Sequence, residues 1–319
     1  MTTPEFPLFP TQASTYAARE DALFFFLLAV SAFFAALIFF LVIFFAVRYR
    51  RRSPTERASV IREPLALELA WTIIPLGINI IAFVWGAQLF FFASRPPTAS
   101  IEIAVVGKQW MWKFQHPEGR SEINELHVPE GRPIKLTMTS QDAIHSFFVP
   151  AFRVKKDVVP GRYTVTWFEA TRIGDYHLFC SQYCGALHAH MIGRVTVMNP
   201  VAYEQWLGGV TTRVSSMAEA GRLLFRQRGC PSCHRPDGKG LGPSLVGLFG
   251  QPVYLQDGRS VIADEGYIRE SVLLPQAKIV AGYAPIMPSF KGQISEEELL
   301  QIIAYIKSLK QEQRTKGER

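Results

Sequence analysis

The sequence predicts a multi-domain membrane protein of three parts: a hairpin of two transmembrane helices, an all-β sandwich and an all-α domain. Three patterns in the 319 residues predict it. Two long apolar runs come first, a region of alternating apolar and polar residues follows, and the last third has helical periodicity. The predicted parts are an amino-terminal segment with the hairpin at 1–97, the sandwich at 98–199, a linker at 200–216, the helical domain at 217–310 and a charged tail at 311–319.

The two transmembrane helices are predicted at about 21–47 and 65–92, because each run is long enough to cross a bilayer. The first run is too long for a cleavable signal peptide, and no basic segment precedes it. The loop between the two helices has six arginines and only two glutamates. This excess of positive charge places the loop in the cytoplasm and everything after Phe92 outside. These charges are Arg48, Arg50, Arg51, Arg52, Arg57 and Arg62 against Glu56 and Glu63.

This loop also explains the basic balance of the chain. Six positive and two negative charges contribute four of the net charge of +7. Neither soluble domain has a basic face, so the composition excludes a nucleic-acid partner.

The sandwich is predicted from short runs of period-two alternation bounded by glycine, proline and polar turns. A further run, Gly174–Phe179, leads into a loop rich in metal-binding side chains, and Ile192–Met198 leads out of it. Near the start of the domain Trp112 alternates with other aromatic residues, and we expect it in the core or at an interface. The other alternating runs are Ile101–Val106, Pro133–Thr139 and Tyr163–Trp167.

The loop Cys180-Ser-Gln-Tyr-Cys184-Gly-Ala-Leu-His188-Ala-His-Met191 combines two thiols, an imidazole and a thioether. Copper prefers this soft donor set. Two cysteines that share one loop can bridge two metal ions, and His145 is the candidate for a second imidazole. The alternative is a Cys180–Cys184 disulfide with incidental histidines.

In the helical domain, Cys230-Pro-Ser-Cys233-His234 has the spacing at which c-type haem is attached. The two thiols add to the haem vinyl groups, and His234 is placed to bind the iron. The alternative is a redox or zinc-binding cysteine pair, but no further cysteine or histidine follows in this domain. Met287, between Pro285 and Pro288, is the candidate sixth ligand.

Two helices frame this motif. Met217–Arg228 is amphipathic and leads directly into it. Ser295–Ile306 opens with a capping box and continues as an amphipathic helix.

These motifs resemble subunit II of haem-copper cytochrome c oxidases with a fused cytochrome c domain, over about residues 20–310. The resemblance implies a cupredoxin-like Greek-key sandwich and a class I cytochrome c domain. It also implies a dinuclear copper centre, CuA, bridged by both cysteine sulfurs. The implied ligands are His145, Cys180, Cys184, His188, Met191 and the backbone carbonyl of Gln182, whereas His190 is expected to face solvent or a partner.

The resemblance assigns three further residues. Trp110 matches the tryptophan at which electrons enter from cytochrome c. Glu68 matches a glutamate at the entrance of a proton pathway into subunit I. The alternative is a glutamate without a special role, because glutamates are common at helix ends near the membrane surface. Asp157 matches a magnesium ligand, but the family has glutamate in place of Gln182, so the sequence leaves the magnesium site open.

The function that the resemblance implies is that of subunit II of a caa-type oxidase. Electrons would pass from an external donor through haem c and CuA to subunit I, where oxygen is reduced to water with proton translocation. This chain would do electron transfer only, because neither predicted span has a histidine cluster for a catalytic haem and copper.

The expected partners are subunit I, subunit III and a donor such as a cytochrome c, a small copper protein or a quinol:cytochrome c oxidoreductase. The expected location is the bacterial cytoplasmic membrane, with the amino terminus and both soluble domains on the periplasmic side. The alternatives are the CuA subunit of a nitric oxide reductase and a membrane-tethered electron shuttle.

Overall fold

The computed structural model describes residues 9–53, 64–208 and 216–317, with side chains described as far as 309. Residues 15–95 form one compact unit, and residues 1–14 together with 96–319 form a second one. Several predictions lie outside the described residues. These are the charges of Glu56, Arg57, Arg62 and Glu63, positions 209–215 of the predicted linker, and the end of the charged tail.

The first unit is a pair of helices, α1 at Thr15–Arg48 and α2 at Leu65–Ser94. Both are long and apolar enough to cross a membrane, so the hairpin matches the prediction. Helix α1 begins six residues before the predicted start. Its polar first turns have partners at the end of α2, because Arg19 lies 4.1 Å over the Phe92 ring and Tyr16 stacks on the same ring.

The second unit contains a β-sandwich of two five-stranded sheets, as predicted. One sheet has the order β3-β2-β1-β5-β8 and the other β4-β10-β9-β6-β7. The pairs β1–β5 and β4–β10 are parallel, whereas the other neighbours are antiparallel. The strands are β1 Ile101–Lys108, β2 Met111–Gln115, β3 Ser121–Ile123, β4 Glu125–Pro129, β5 Pro133–Ser140, β6 His145–Val149, β7 Val154–Val158, β8 Thr164–Glu169, β9 Gly174–Cys180 and β10 Ile192–Met198.

The core of the sandwich lies between the two sheets. Trp112 is fully buried there, as predicted, and its ring meets Phe147 and His145 edge to face. A short segment before α1 also belongs to this core, which was not predicted from the sequence. Ala13 is fully buried, its N–H donates to the Ala151 carbonyl, and its own carbonyl accepts from Thr171.

A third helix, α3 at Pro200–Gly208, lies inside the predicted linker and packs on the sandwich. Its Trp206 stacks on His127 with 4.6 Å between ring centroids. Beneath it, the Glu122 carboxylate lies between His127 and His116, 2.8 Å from Nε2 of His116. Burial opposes ionisation of Glu122, but hydrogen bonds from both histidines outweigh it and lower its pKa to about 2.

The helical domain consists of α4 at Met217–Gln227, α5 at Glu265–Leu273, α6 at Glu296–Gly317 and a hairpin of β11 Pro252–Tyr254 and β12 Ser260–Ile262. The predicted capping box at Ser295 is present. The Ser295 N–H donates to the Glu298 carboxylate, and the Glu298 N–H donates to the Ser295 hydroxyl. Helices α4 and α6 touch closely, because a Cβ on Gly221 would lie 1.8 Å from the Gln301 carbonyl oxygen.

Candidate metal centre and haem cavity

The loop between β9 and β10 brings sulfur, nitrogen and oxygen donors around two cysteine sulfurs. The Sγ atoms of Cys180 and Cys184 lie 3.8 Å apart. Nδ1 of His145 lies 3.9 Å from Sγ of Cys180, and the Gln182 carbonyl oxygen lies 3.2 Å from it. At the other sulfur, the Met191 Sδ and His188 Nδ1 lie 3.8 and 3.4 Å from Sγ of Cys184.

This geometry disagrees with the disulfide alternative. The two sulfurs lie far beyond the disulfide bond length of about 2.05 Å, and both thiols are free. Instead, the ligand atoms of His145, Cys180 and Cys184 lie within 4.8 Å of one another. The donors are two sulfurs, an imidazole and a thioether with a second imidazole at the edge, so the residues present fit copper.

The centre is closed towards the core and open at one side. His145 and Met191 have no exposed surface, and Cys184 is buried. His188 is half-buried and Gln182 is exposed, although its carbonyl points at Cys180. Sheet-supported ligands on one side and a solvent-facing loop on the other suit a site that keeps its geometry while it exchanges electrons.

Asp142 orients the histidine from the strand. Its Oδ1 lies 2.8 Å from Nε2 of His145, which leaves Nδ1 facing the cysteine sulfur. The same carboxylate accepts hydrogen bonds from the N–H groups of Gln109 and Ala143. Burial raises the pKa of Asp142, but these hydrogen bonds outweigh it, so the pKa falls below its usual range.

The two thiols differ in acidity. Burial opposes ionisation of Cys180, but its contacts with His145 and the N–H of Ser146 outweigh burial and lower its pKa. Burial and the neighbouring Cys180 thiolate raise the pKa of Cys184. Metals bind cysteine as thiolate, so metal binding at this pair would release the protons that the thiols carry.

Trp110 lies beside this loop. Its ring is partly buried against the sandwich core. A Cβ on Gly185, the residue after Cys184, would lie 3.5 Å from the Trp110 ring. The neighbouring Gln109 donates from Nε2 to the Cys184 carbonyl at 2.8 Å. The segment that carries Trp110 is thus held against the loop between β9 and β10, which we call the copper loop (residues 181–191) after its candidate ligands.

The remaining predicted residues lie apart from this cluster. His190 is exposed at the end of the loop. Asp157 is exposed on β7, opposite Ser146 in register, and it is outside the cluster of metal-binding side chains. Glu68 lies in the first turn of α2, where its carbonyl accepts from the Thr72 hydroxyl.

The helical domain contains an apolar cavity of about 350 Å³. Cys230, Cys233, His234 and Met287 all line it, so the structure brings together the attachment motif and the distant methionine. Both cysteines are free and half-buried. An apolar cavity with two free thiols, an imidazole and a thioether fits a covalently attached haem.

The backbone sets the direction of the His234 ring. Its Nδ1 lies 2.8 Å from the Pro243 carbonyl, so Nδ1 carries the proton and Nε2 keeps a lone pair for a metal. A Cβ on Gly242 would lie 2.8 Å from Cε1 of this ring. Only glycine at this position leaves the ring where it lies.

Two residues at the copper loop were not assigned roles from the sequence. Asp142 stands three residues before His145 in the sequence, and that spacing is the signal that could have indicated it. Gln109 reaches the loop across 75 positions of sequence, and nothing local indicates such a contact.

Comparison with known proteins gives consistent relatives. The chain matches the family model for the periplasmic domain of cytochrome c oxidase subunit II at residues 120–198, and the cytochrome c model at 218–310. It is 30% identical over 261 residues to cytochrome c oxidase subunit 2 of Alkalihalophilus pseudofirmus, which covers 77% of this chain and 73% of that protein.

Two further matches are a second relative and a solved structure. The chain is 29% identical over 253 residues to cytochrome c oxidase subunit 2 of Thermostichus vulcanus, covering 62% of this chain and 77% of that one. The crystal structure of the periplasmic domain of subunit II of cytochrome oxidase (CoxB) of Bradyrhizobium japonicum is 31% identical. It matches over all of its own length and 38% of this chain, with a TM-score of 0.36.

Proposed function

Because this chain belongs to the cytochrome c oxidase subunit II family and carries a cytochrome c domain, we propose that it is the electron inlet of a haem-copper terminal oxidase. The coarse function is that of an electron-transferring membrane subunit of an oxidoreductase complex, with an outer soluble part and subunit I as its partner. The finer proposal is a route from an external donor through haem c and a dinuclear copper centre to subunit I, where oxygen is reduced with proton translocation.

One observation carries the copper assignment: four further donor atoms cluster around two free thiols that lie 3.8 Å apart. Single-cysteine copper sites have one sulfur at the centre, whereas here each of two sulfurs has further donors within 3.9 Å. Two metal ions bridged by both thiolates would use the whole set. The proposed ligands are His145, Cys180, Cys184, His188, Met191 and the carbonyl of Gln182.

Gln182 does not weaken this proposal. Its side chain is exposed, and the donor that faces Cys180 is its backbone carbonyl, which any residue supplies. The magnesium site is a separate question, because a carboxylate is missing at this position. Asp157 remains a proposed magnesium ligand on the resemblance alone.

For the haem, Cys230 and Cys233 would form the thioether links, while His234 and Met287 would be the axial ligands. When bound, the haem and the copper pair each supply a one-electron carrier. The chain itself contributes orientation. Pro243 fixes the tautomer of His234, and Asp142 does the same for His145.

Two further roles are proposed. Trp110 would admit electrons at the copper loop, since its ring packs beside Gly185 and its neighbour Gln109 binds the Cys184 carbonyl. Glu68 would open a proton pathway into subunit I from the first turn of α2. Of the two, only Glu68 needs the partner subunit for its role. The proposed location is the bacterial cytoplasmic membrane, with outward-facing soluble domains.

The decisive experiment is purification of the native complex followed by oxygen and nitric oxide consumption assays. Oxygen consumption by a complex that contains haem a and this chain is the expected result. Consumption of nitric oxide alone would identify a nitric oxide reductase subunit. Recovery of this chain by itself, without a haem-containing partner, would contradict the oxidase proposal and favour a membrane-tethered shuttle.

The copper assignment has its own test. Copper-loaded full-length protein should bind two coppers and give an electron paramagnetic resonance spectrum with hyperfine splitting from two equivalent nuclei. A one-copper spectrum would contradict the bridged site while leaving the haem assignment untouched.

A further inference from the structure

An apolar contact joins the cytochrome c domain to the sandwich. Ala104 and Val106 on β1 are buried against Leu300 on α6, although all three lie on the outer surfaces of their own domains. Such a surface would be exposed in either domain alone. We call this contact the docking patch; its members are Ala104, Val106, Met217 and Leu300, with Tyr163 and Ala304 packed against them.

A charge network borders the docking patch. Lys307 of α6 lies 2.6 Å from the Glu102 carboxylate of the sandwich and 3.0 Å from Glu265 of its own domain. Lys135 of the sandwich lies 3.2 Å from Glu102 and 3.6 Å from Glu265. Burial disfavours the Lys307 ammonium, but the two carboxylates outweigh it and raise its pKa. The charges thus alternate in sign across the interface, and every lysine in the network meets an acid of the other domain.

The start of α6 makes a second polar contact with the sandwich. Glu297 accepts from Nζ of Lys113 at 2.7 Å and from Nε2 of Gln141 at 2.8 Å. Gln141 directly precedes Asp142, whose carboxylate orients His145. The first turn of α6 is therefore bound one residue away from the group that positions a proposed copper ligand.

The other face of α6 forms a wall of the haem cavity. Ile302 and Ile306 line that cavity together with His234 and Met287. Every described residue that lines the cavity lies between 225 and 306, so the sandwich contributes none of its walls. Rim residues of the cavity such as Leu241 and Ile286 remain exposed, at 64% and 55%. The mouth of the cavity therefore does not face the docking patch.

We propose that α6 is the transfer face of the cytochrome c domain, which works docked on the sandwich through the docking patch while its cavity mouth stays open for the external donor. Haem cavity and sandwich are then separated by one helix, about 10 Å across. Electrons enter the cytochrome c domain at the cavity mouth and leave it through α6. The external donor and the sandwich therefore do not compete for the same surface of this domain. This inference rests on the proposed relay and adds its geometry.

The competing picture is a tethered domain that searches for its acceptor. Small polar contacts between domains ordinarily allow such movement, and a tether alone raises the effective concentration to the millimolar range. Here the docking patch is accompanied by two clusters of ion pairs between the domains, one at Lys307 and one at Glu297. Removing either cluster should release the domain, which separates the two pictures.

The first test maps the docked pose without using activity. A carbodiimide joins carboxylate and amine groups that are already in contact, so treatment of the full chain in its purified complex should link Lys113 to Glu297 and Lys307 to Glu102. Peptide mass spectrometry reads out the links. The pair Lys278–Glu270, inside the cytochrome c domain, serves as the positive control. Recovery of the control link without either interdomain link would overturn the docked pose.

The second test uses charge reversal. Glu297→Lys and Lys113→Glu should each slow haem-to-copper electron transfer about tenfold in flash-photolysis or rapid-mixing experiments. The double variant should recover most of the rate, because the pair is restored with opposite polarity. Arg259→Glu, at an exposed pair with Asp257, is the matched control and should leave the rate unchanged.

The outcomes separate the two proposals. If the unmodified protein shows no haem-to-copper transfer at all, the proposed relay fails. If it transfers electrons and the single reversals are as fast as the Arg259→Glu control, the relay stands and docking through α6 is wrong.

Discussion

Asp142→Asn should weaken copper binding without unfolding either soluble domain. The carboxylate has three short hydrogen bonds, with the Gln109 N–H at 2.8 Å, the Ala143 N–H at 2.6 Å and Nε2 of His145 at 2.8 Å, and a longer one from the Ser140 hydroxyl at 3.5 Å. Asparagine keeps one acceptor oxygen but turns an amide N–H towards a second donor, and it removes the charge. Groups that orient a metal-ligating histidine typically contribute a factor of about 10–100 to metal affinity, so a loss of that size is expected.

The measurement is a competition titration of the copper-loaded full chain against a chelator, followed by electron paramagnetic resonance. Asp175→Asn is the matched control, because Asp175 is exposed on β9 and accepts from Thr196 rather than from a ligand. The c-type haem spectrum reports whether the rest of the chain has folded. Copper affinity within about threefold of the control, with an unchanged spectrum, would show that Asp142 does not position His145.

The remaining predictions concern the haem and the stability of the outer domains. Met287→Ala should convert the haem from low-spin, which the loss of the sulfur–iron absorption band reports; an unchanged band would exclude Met287 as a ligand. Gly221→Ala should lower the free energy of unfolding by about 1–3 kcal/mol, because its Cβ would lie 1.8 Å from the Gln301 oxygen. Gly208→Ala is the control, since nothing lies within 4 Å of its Cβ. Glu122→Gln should cost about 2 kcal/mol at pH 7, because the pKa of Glu122 is lowered from 4.5 to about 2. That stabilisation is fully present above about pH 4.5 and lost as the pH falls towards 2, so denaturation curves of the two proteins should converge there and not at neutral pH.

The sequence predicts those parts of the metal centre that lie within one loop. Four side-chain donors lie between Cys180 and Met191, and a loop this short keeps their side chains close together. His145 depends on strand pairing, because β6 and β9 pair Phe147 with Cys180. Alternation does not determine that register, so His145 was indicated as a ligand by the family resemblance.

Contacts between distant segments were not predictable in this way. The stacking of Trp206 on His127 and the burial of Ala13 in the sandwich core join segments with no shared local pattern. The sequence predicts a linker at 200–216, whereas the structure has α3 there, held by the contacts of Trp206 with His127 and His116. Tertiary packing decides such short helices, since their own propensity does not.

Helix α6 shows how a correct local prediction can still miss a function. Amphipathic periodicity predicts one apolar stripe for the segment that begins at Ser295, and Ile302 and Ile306 form it along the haem cavity. Leu300 and Ala304 form a second stripe with the same spacing, displaced by two residues, which is about 200° around the helix. A helix with apolar side chains on two nearly opposite faces must be covered by protein on both of them. The pattern therefore requires a second interface for α6, and the structure identifies the sandwich as the surface that covers it.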